Sequence, residues 1–355
     1  MPKSILCILK YLTKSLGGHK LSFVSCRVPL RMSLAGGGTD LEPFILEYGS
    51  SVIATTINLY VETTVQSISE SGITIESVDQ GLNLYLPEGM PDENLLESIL
   101  TACLTKIPAS VRTGIRICVE SPVPARSGLG ASSAIILSIL GALYTFKEIE
   151  FSVRSLAIDA YEIERLLLKI PGGCQDQYVC ATGGFNRFDF KSYKEHVFSQ
   201  VSIPENFIST LESSVFFVWT GISRNSNIVL SDQIDKNEKR QNIQALLSQK
   251  DLVNSLEEIL LRGDLRGLGE ILSRSWEIKR GVSDFVSTPD IDRIYEIGMQ
   301  QGALGGKLLG AGGGGFFIFV CEPQQRGKII HDIENFGYKI TLLKTTTKGI
   351  QIEKS

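Results

Sequence analysis

Histidine is scarce, three in 355 residues, and His19, His196 and His331 stand apart from one another and from every glycine-rich run. Histidine-centred catalysis therefore has no constellation to draw on, and surface or core positions are the expected roles. The seven cysteines are odd in number and scattered, with no CxxC pair and no histidine at ligand spacing. That pattern argues against a disulfide framework or a structural zinc site and fits a reducing cytoplasm. Basic charge is not in excess: 35 Lys and Arg face 39 Asp and Glu, a net charge of −4. Without a basic stripe, nucleic acid and anionic membrane surfaces are poor partners, although local sites for small anions stay open. No charge-free apolar stretch is long enough to span a membrane, and internal repeats and low-complexity segments are missing. At the start of the chain four lysines surround the short run ILCIL, Lys10 interrupts it, and no A-x-A site follows. A signal peptide is not indicated. Residues 1–20 read as an N-terminal extension, with a basic membrane-surface helix as the alternative.

Glycine, by contrast, is abundant at 34 residues, and the most informative cluster is SGLGASSA, Ser127 to Ala134. It follows the strand-like GIRICVES and opens directly into the apolar, helix-length IILSILGALYTF. Gly128 and Gly130 allow a tight turn and close approach to a ligand, while the first amides of the helix lack intrahelical partners and point outward. The helix dipole adds positive potential, which makes this an anion site suited to a phosphate chain. Ser127, Ser132 and Ser133 add hydroxyls for phosphate oxygens or a hard cation. Taken alone, the run could also be a plain strand-to-helix turn capped by serine. No Lys follows the glycines as a Walker loop requires.

The longer run PARSGLGASSA, with Pro124, resembles the second motif of the GHMP kinases, the family of galactokinase, homoserine kinase, mevalonate kinase and phosphomevalonate kinase. The resemblance implies that Pro124, Ser127, Gly128, Leu129, Gly130, Ala131, Ser132 and Ser133 wrap the phosphates of ATP. The family usually has Ser at the position of Ala131, so its magnesium-binding serine falls on Ser132 here. RMSLAGGGTD, residues 31–40, resembles the first motif, which shapes the acceptor pocket; Gly36, Gly37 and Gly38 would bring backbone amides to a small polar ligand, and Thr39 and Asp40 would bond its hydroxyls. A hairpin turn with Asp40 capping a helix at LEPFILEY is the alternative. Galactokinases carry a Glu-His pair where this chain has Gly37 and Gly38, which disfavours simple galactose. KLLGAGGGGFFIF resembles the third motif, with Gly312 and Gly313 approaching phosphates and substrate. Its GAGGGG formally satisfies GxGxxG, but the order is helix, glycines, strand, the reverse of a dinucleotide fold.

AYEIERLLLKIPGGCQDQY supplies the acids. On an ideal helix Glu162 can be neutralised by Arg165 and Lys169, whereas Glu164 shares a stripe with Ala157, Tyr161 and Leu168, where a carboxylate needs a partner or a cation. The family places a magnesium-binding Glu at Glu164; Mg2+ would then bridge Ser132, Glu164 and the β- and γ-phosphates. Asp176 is the candidate acid-base residue, because deprotonating a sugar hydroxyl needs a carboxylate held near it and kept ionised by a neighbouring cation. It could otherwise cap the helix DQYVCAT. Arg31 aligns with the basic residue that performs this role in galactokinases, and Gly173 and Arg187 join the acceptor-side candidates.

Pattern alone gives an α+β reading. The strand-rich stretches LSFVSCRVPLRMSLAG, SVIATTINLYVETTVQSIS and GITIESV come first. Helical patterns over NLLESILTACLTKI and the long SVRSLAIDAYEIERLLLKI follow, and a second strand-and-helix set starts at SVFFVWTG. A boundary near Pro204 divides residues 21–204 from 205–355. The resemblance implies an N-terminal domain like domain 2 of ribosomal protein S5, a ferredoxin-like C-terminal domain, and ATP between them. AGGGTDL, GGCQDQY with ATGGFNRF, and SWEIKRGVS with KLLGAGGGG together resemble the D-glycero-D-manno-heptose 7-phosphate kinases, and bacterial L-fucokinases share parts of the set. The implied reaction is transfer of the ATP γ-phosphoryl group to an anomeric hydroxyl. A sugar-phosphate acceptor would need cations at the pocket edge, for which Arg126, Arg187, Arg224, Lys279 and Arg280 are candidates. A silent sugar-binding regulator on the same scaffold is the alternative of another class, although no motif residue it would lose has been lost.

Overall fold

The computed structural model describes residues 23–77, 79, 81–86, 95–108, 114–124, 126–222, 226–342 and 344–355. The segment 1–20 and Arg224 lie outside the described residues.

Long runs of Val, Ile, Thr and Leu build the spine of the first sheet, the antiparallel pair β1 (Phe23–Ala35) and β2 (Ser50–Ser67). They are joined through the short helix α1 (Phe44–Tyr48). Strands β3 (Ile73–Ser77), β4 (Leu82–Leu86) and β5 (Ile115–Glu120) extend the sheet from the C-terminal half of β2. The pairing of β1 with β2 shifts register between Pro29 and Arg31 and again between Ser33 and Ala35. A proline has no N–H for the ladder, and a bulge re-aims the side chains beside it; Arg31 and Ser33 are those side chains.

Helix α2 (Leu95–Thr105) packs against helix α3 (Ala131–Phe146), which packs on β1 and β2. Thirteen residues of α3 are buried, as expected for a helix apolar on all sides. Gly130 in the left-handed region starts it. The expected single helix over residues 152–170 is instead α4 (Val153–Tyr161), capped by Ser152, followed by a π-helical turn, Glu162–Leu167. Helix α5 (Gln175–Thr182) then leads into β6 (Asn186–Phe190) and β7 (His196–Gln200), which attach to the N-terminal half of β2.

After α6 (Glu205–Ser214) the second, four-stranded antiparallel sheet begins at β8 (Val215–Trp219). Helices α7 (Ser226–Glu238), α8 (Ile243–Arg262), α9 (Leu265–Arg280) and α10 (Pro289–Gln300) come next. Strands β9 (Gly305–Leu308) and β10 (Phe316–Val320), helix α11 (Arg326–Asn335) and β11 (Lys339–Thr341) complete the sheet in the order β11-β8-β10-β9. Its core is aromatic: Phe216, Phe217, Phe317 and Phe319 are fully buried. Gly269 and Gly305 let α9 and β9 meet backbone to backbone, since a Cβ at Gly305 would lie 1.9 Å from the Gly269 carbonyl oxygen. The chain then returns to the first sheet, where β12 (Thr345–Thr346) pairs with β2 and β13 (Gln351–Lys354) pairs with β1.

Candidate active site

A cavity of ≈ 540 Å³ opens between the two sheets, and both carry residues into its wall. The phosphate-type loop enters from the first. Gly128 and Gly130 hold φ of 80° and 76°, and the amide of Arg31 donates to the Leu129 carbonyl (2.9 Å), pinning the loop to β1. Pro124, Ser127, Gly128, Gly130, Ala131 and Ser132 line the cavity. Leu129 instead lies in the core, and the Ser133 hydroxyl donates to Glu164 Oε2 at 2.7 Å. The hydroxyls of Ser127 and Ser132 are buried with no partner in the protein. Buried polar atoms are nearly always satisfied, and both of these serines line the cavity, where oxygens of a bound group would complete them.

Arg31 carries the centre of the site. Its guanidinium donates from Nε and Nη2 to Asp176 Oδ1 and Oδ2 at 2.8 and 2.7 Å, and from Nη1 to the Gly128 carbonyl at 2.6 Å. One planar fork thus ties the carboxylate to the phosphate loop, the bidentate geometry that suits arginine and not lysine. Asp176 sits in the first turn of α5 but makes no cap; Cys174 holds the cap position. The capping alternative is therefore not what the carboxylate does.

Asp40 is buried at the far end of the first motif, where it accepts from the Gln175 amide (2.9 Å), Gln175 Nε2 (3.0 Å) and the Gly38 amide (3.2 Å). Burial pushes its carboxyl above the usual range, opposed by the Gln175 amide and reinforced by the Asp176 charge. Gly173 is required beside it, because a Cβ there would stand 1.9 Å from Asp40 Oδ2. Gly37, Gly38, Asp40, Gly173 and Gly312 line the cavity. Thr39 does not; its hydroxyl is spent on the Gly36 carbonyl and the Ser50 hydroxyl, each at 2.7 Å. Gly36 turns away as well, packed on the Ser51 carbonyl, and the Gly313 amide donates to Val286 (2.8 Å).

Two sequence expectations are corrected. Arg187 is not at the acceptor pocket: it pairs with Asp189 (3.0 Å) and Glu257 (2.7 Å) and bonds Asn254 (2.9 Å), tying β6 to α8. Residues two apart on a strand share a face, which places Asp189 beside Arg187. Glu162 is neutralised by Lys106 (3.0 Å) and Lys194 (3.2 Å) instead of by Arg165 and Lys169. The π-turn shifts the helical phase, and it is Glu164 that meets Arg165, at 3.2 Å. Glu164 is buried, lines the cavity, and accepts also from Gln177 Nε2 at 2.6 Å.

Among the cationic candidates, Arg126 and Lys279 line the cavity, while Arg280 pairs with Asp292 elsewhere at 3.1 Å. His196 packs against the rings of Tyr178, Phe188 and Phe190. Lys307 was missed. It lies on β9, buried, and reaches the cavity wall with Nζ donating to the Leu34 carbonyl at 3.1 Å. A lysine inside a fully buried strand was the available signal. Burial and the neighbouring Arg31 pull its ammonium down to about 7. Gln175, Gln177 and Gln233 were also unforeseen.

The third glycine motif works through contact with the loop. A Cβ at Gly310 would lie 2.5 Å from the Gly128 Cα, one at Gly315 would lie 2.5 Å from the Ser127 carbonyl oxygen, and the Phe316 amide donates to that same carbonyl (3.2 Å).

Comparison with known proteins agrees with this geometry. Residues 94–184 match the GHMP kinases N terminal domain and residues 256–339 the GHMP kinases C terminal domain. D-glycero-alpha-D-manno-heptose 7-phosphate kinase of Campylobacter jejuni is 31% identical over 338 residues, covering 92% of this chain and 98% of that protein. The crystal structure of a D-glycero-D-manno-heptose 1-phosphate kinase from Bacteroides thetaiotaomicron superposes with a TM-score of 0.78 at 27% identity, covering 94% of this chain and 99% of the other. Lactococcus lactis galactokinase shares the fold at 15% identity, with a TM-score of 0.74 over 98% of this chain and 99% of the other.

Proposed function

This chain belongs to the GHMP kinases, and from that premise we propose that it transfers the γ-phosphoryl group of ATP to the anomeric hydroxyl of D-glycero-D-manno-heptose 7-phosphate. The product is the heptose 1,7-bisphosphate, a precursor for nucleotide-activated heptose. The observation that carries the chemistry is the Arg31–Asp176 fork against the Gly128 carbonyl. It holds a carboxylate beside the phosphate loop, where an acceptor hydroxyl and a γ-phosphoryl group would meet.

The loop amides and the free hydroxyls of Ser127 and Ser132 bind the triphosphate. Asp176 takes the proton of the anomeric hydroxyl. An ionised carboxylate has about four lone-pair sites, of which Arg31 occupies two, so two remain and the acceptor hydroxyl needs only one. The anomeric oxygen forms its bond to the γ-phosphorus as the bond to the β,γ-bridging oxygen breaks, and ADP leaves. Asp40 with Gln175, and the amides of the first glycine motif, orient the sugar.

Mg2+ fits the residues present. Ser132 offers an unpartnered buried hydroxyl and Glu164 a buried carboxylate oxygen facing Arg165, and magnesium commonly takes one or two protein oxygens and completes its shell with phosphates and water. When bound it would neutralise charge on the β- and γ-phosphates. We further assign ATP binding chiefly to residues 21–204 and the opposing wall to 205–355, the last strands returning to the first sheet. We also propose a cytoplasmic location, where ATP is available; the six described cysteines are buried and none is in a disulfide.

Steady-state kinetics with D-glycero-D-manno-heptose 7-phosphate, unphosphorylated heptose, mannose and L-fucose test the acceptor. Loss of two charge-assisted hydrogen bonds, each about 1.5–3 kcal/mol, costs an unphosphorylated analogue about 10²-fold or more in kcat/KM. Equal or better efficiency with L-fucose would move the protein to the fucokinases and leave the ATP chemistry standing.

A further inference from the structure

Four carboxylates reach the cavity wall, Asp40, Asp79, Glu164 and Asp176. All come from the first sheet and its helices, and each is already engaged: Asp79, for example, accepts from the Ser77 hydroxyl at 3.0 Å and Glu164 from Ser133 at 2.7 Å. The opposite wall carries two amines, Lys279 on α9 and Lys307 on β9. Neither has a carboxylate partner among the described residues. Lys307 makes one hydrogen bond, to the Leu34 carbonyl (3.1 Å), and Lys279 makes two, to the carbonyls of Leu308 (3.0 Å) and Gly310 (2.5 Å). An ammonium carries three donors. In their charged forms, two N–H groups of Lys307 and one of Lys279 are therefore unspent at the edge of the cavity.

We propose that Lys307, with Lys279 beside it, forms the subsite for the phosphate group carried by the acceptor sugar, a phosphate monoester dianion. This rests on the sugar-phosphate reading above and names the residues that would enforce it. Two phosphates are chemically eligible, that of the acceptor and the γ-phosphoryl group of ATP. Position favours the first. Lys307 is anchored to Leu34, at the end of β1 that runs into the acceptor motif, whereas the phosphate loop is occupied with Arg31 and the Gly310–Gly315 turn. Burial, then the charges of Lys307 and Arg31, lower the protonation of Lys279, and burial with Arg31 lowers that of Lys307. A dianion entering between them restores both charges and turns an unfavourable burial into a paired one. A neutral hexose offers no such compensation, so the same pair that grips the phosphorylated sugar discriminates against its analogue.

The test has two arms. In the first, the ratio of kcat/KM for heptose 7-phosphate to that for unphosphorylated heptose is measured in wild type, Lys307→Met and Arg280→Ala. The ratio falls 10- to 100-fold in Lys307→Met and holds in Arg280→Ala, whose side chain pairs with Asp292 away from the cavity; a ratio unchanged in Lys307→Met overturns the subsite. In the second, the nucleotide site is filled with a non-hydrolysable ATP analogue and inorganic phosphate is added. Phosphate raises the thermal midpoint of wild type and not of Lys307→Met. Equal shifts in both proteins also overturn it, while an increase in the KM for ATP alone assigns Lys307 to the γ-phosphoryl group. Should wild type show no preference for the phosphorylated sugar, the acceptor reading fails, and a Lys307-dependent phosphate shift still establishes the anion subsite. Methionine reproduces the unbranched apolar stem of lysine without its charge, and Lys307→Arg, which retains the phosphate shift, controls for packing.

Discussion

Glu162 and Glu164 are two residues apart, and a π-turn decides which of them faces the cleft. Helical spacing does pick Glu164 as the buried acid, because its neighbours Ala157 and Tyr161 are core residues. It misjudges the partners, since an extra residue in the turn moves Arg165 onto Glu164 and leaves Glu162 to Lys106 and Lys194, residues remote in sequence. No local pattern could have named them. Glu164→Gln and Ser132→Ala should each raise the magnesium concentration for half-maximal activity several-fold, whereas Glu162→Gln, in a half-buried ion cluster outside the cavity, should leave it unchanged. Magnesium titrations of the three variants make the comparison. Asp176→Asn removes the proposed base while keeping the size of the side chain, and kcat should fall by about 10²- to 10⁴-fold with ATP affinity nearly constant. Turnover close to wild type would take Asp176 out of the mechanism.

At the scale of the element, the three glycine runs were visible in the sequence, but their division of labour was not. Gly37, Gly38 and Gly173 line the cavity, Gly173 tight against Asp40. The third run does something else first: Gly310 and Gly315 bring the second sheet's turn onto the phosphate loop, at distances that exclude any Cβ. Sequence shows that a glycine is needed, and only the fold shows against what. Thr39 makes the same point in reverse, because its hydroxyl, apparently free for ligand, is consumed by Gly36 and Ser50. Gly310→Ala should therefore displace the loop and raise the KM for ATP tenfold or more. Gly337→Ala serves as the control. Gly337 also has a left-handed φ of 89° but open space around it, so it should cost about 1–2 kcal/mol of stability with unchanged kinetics. Both are read from steady-state assays and urea unfolding.

For the whole molecule, the sequence separates two α+β units because hydrophobic periodicity is local. It does not reveal that the final strands, of two and four residues, cross back to the first sheet, since such short segments carry no period to read. Two units closing over one cavity also bury Lys307, with a consequence for stability. In the unfolded chain its ammonium titrates near 10.5 and in the folded protein near 7. Between those values the unfolded state binds the extra proton, so this group makes stability rise with pH, by up to about 1.4 kcal/mol per pH unit. Below pH 7 both states are protonated and the cost of burying the charge is felt in full. Lys307→Met should accordingly be more stable than wild type at pH 6 to 7, with the advantage shrinking toward pH 10. Urea midpoints measured across that range would contradict the account if the difference stayed constant.

The central claim is that this fold phosphorylates an anomeric hydroxyl on a sugar that already bears a phosphate. Phosphorus NMR of the product formed from ATP and D-glycero-D-manno-heptose 7-phosphate tests it most directly. The account predicts two sugar-phosphate resonances, one coupled to the anomeric proton, together with loss of the reducing end and one ADP per sugar consumed. A second phosphate on any other carbon, or ADP release with the reducing end intact, would contradict it.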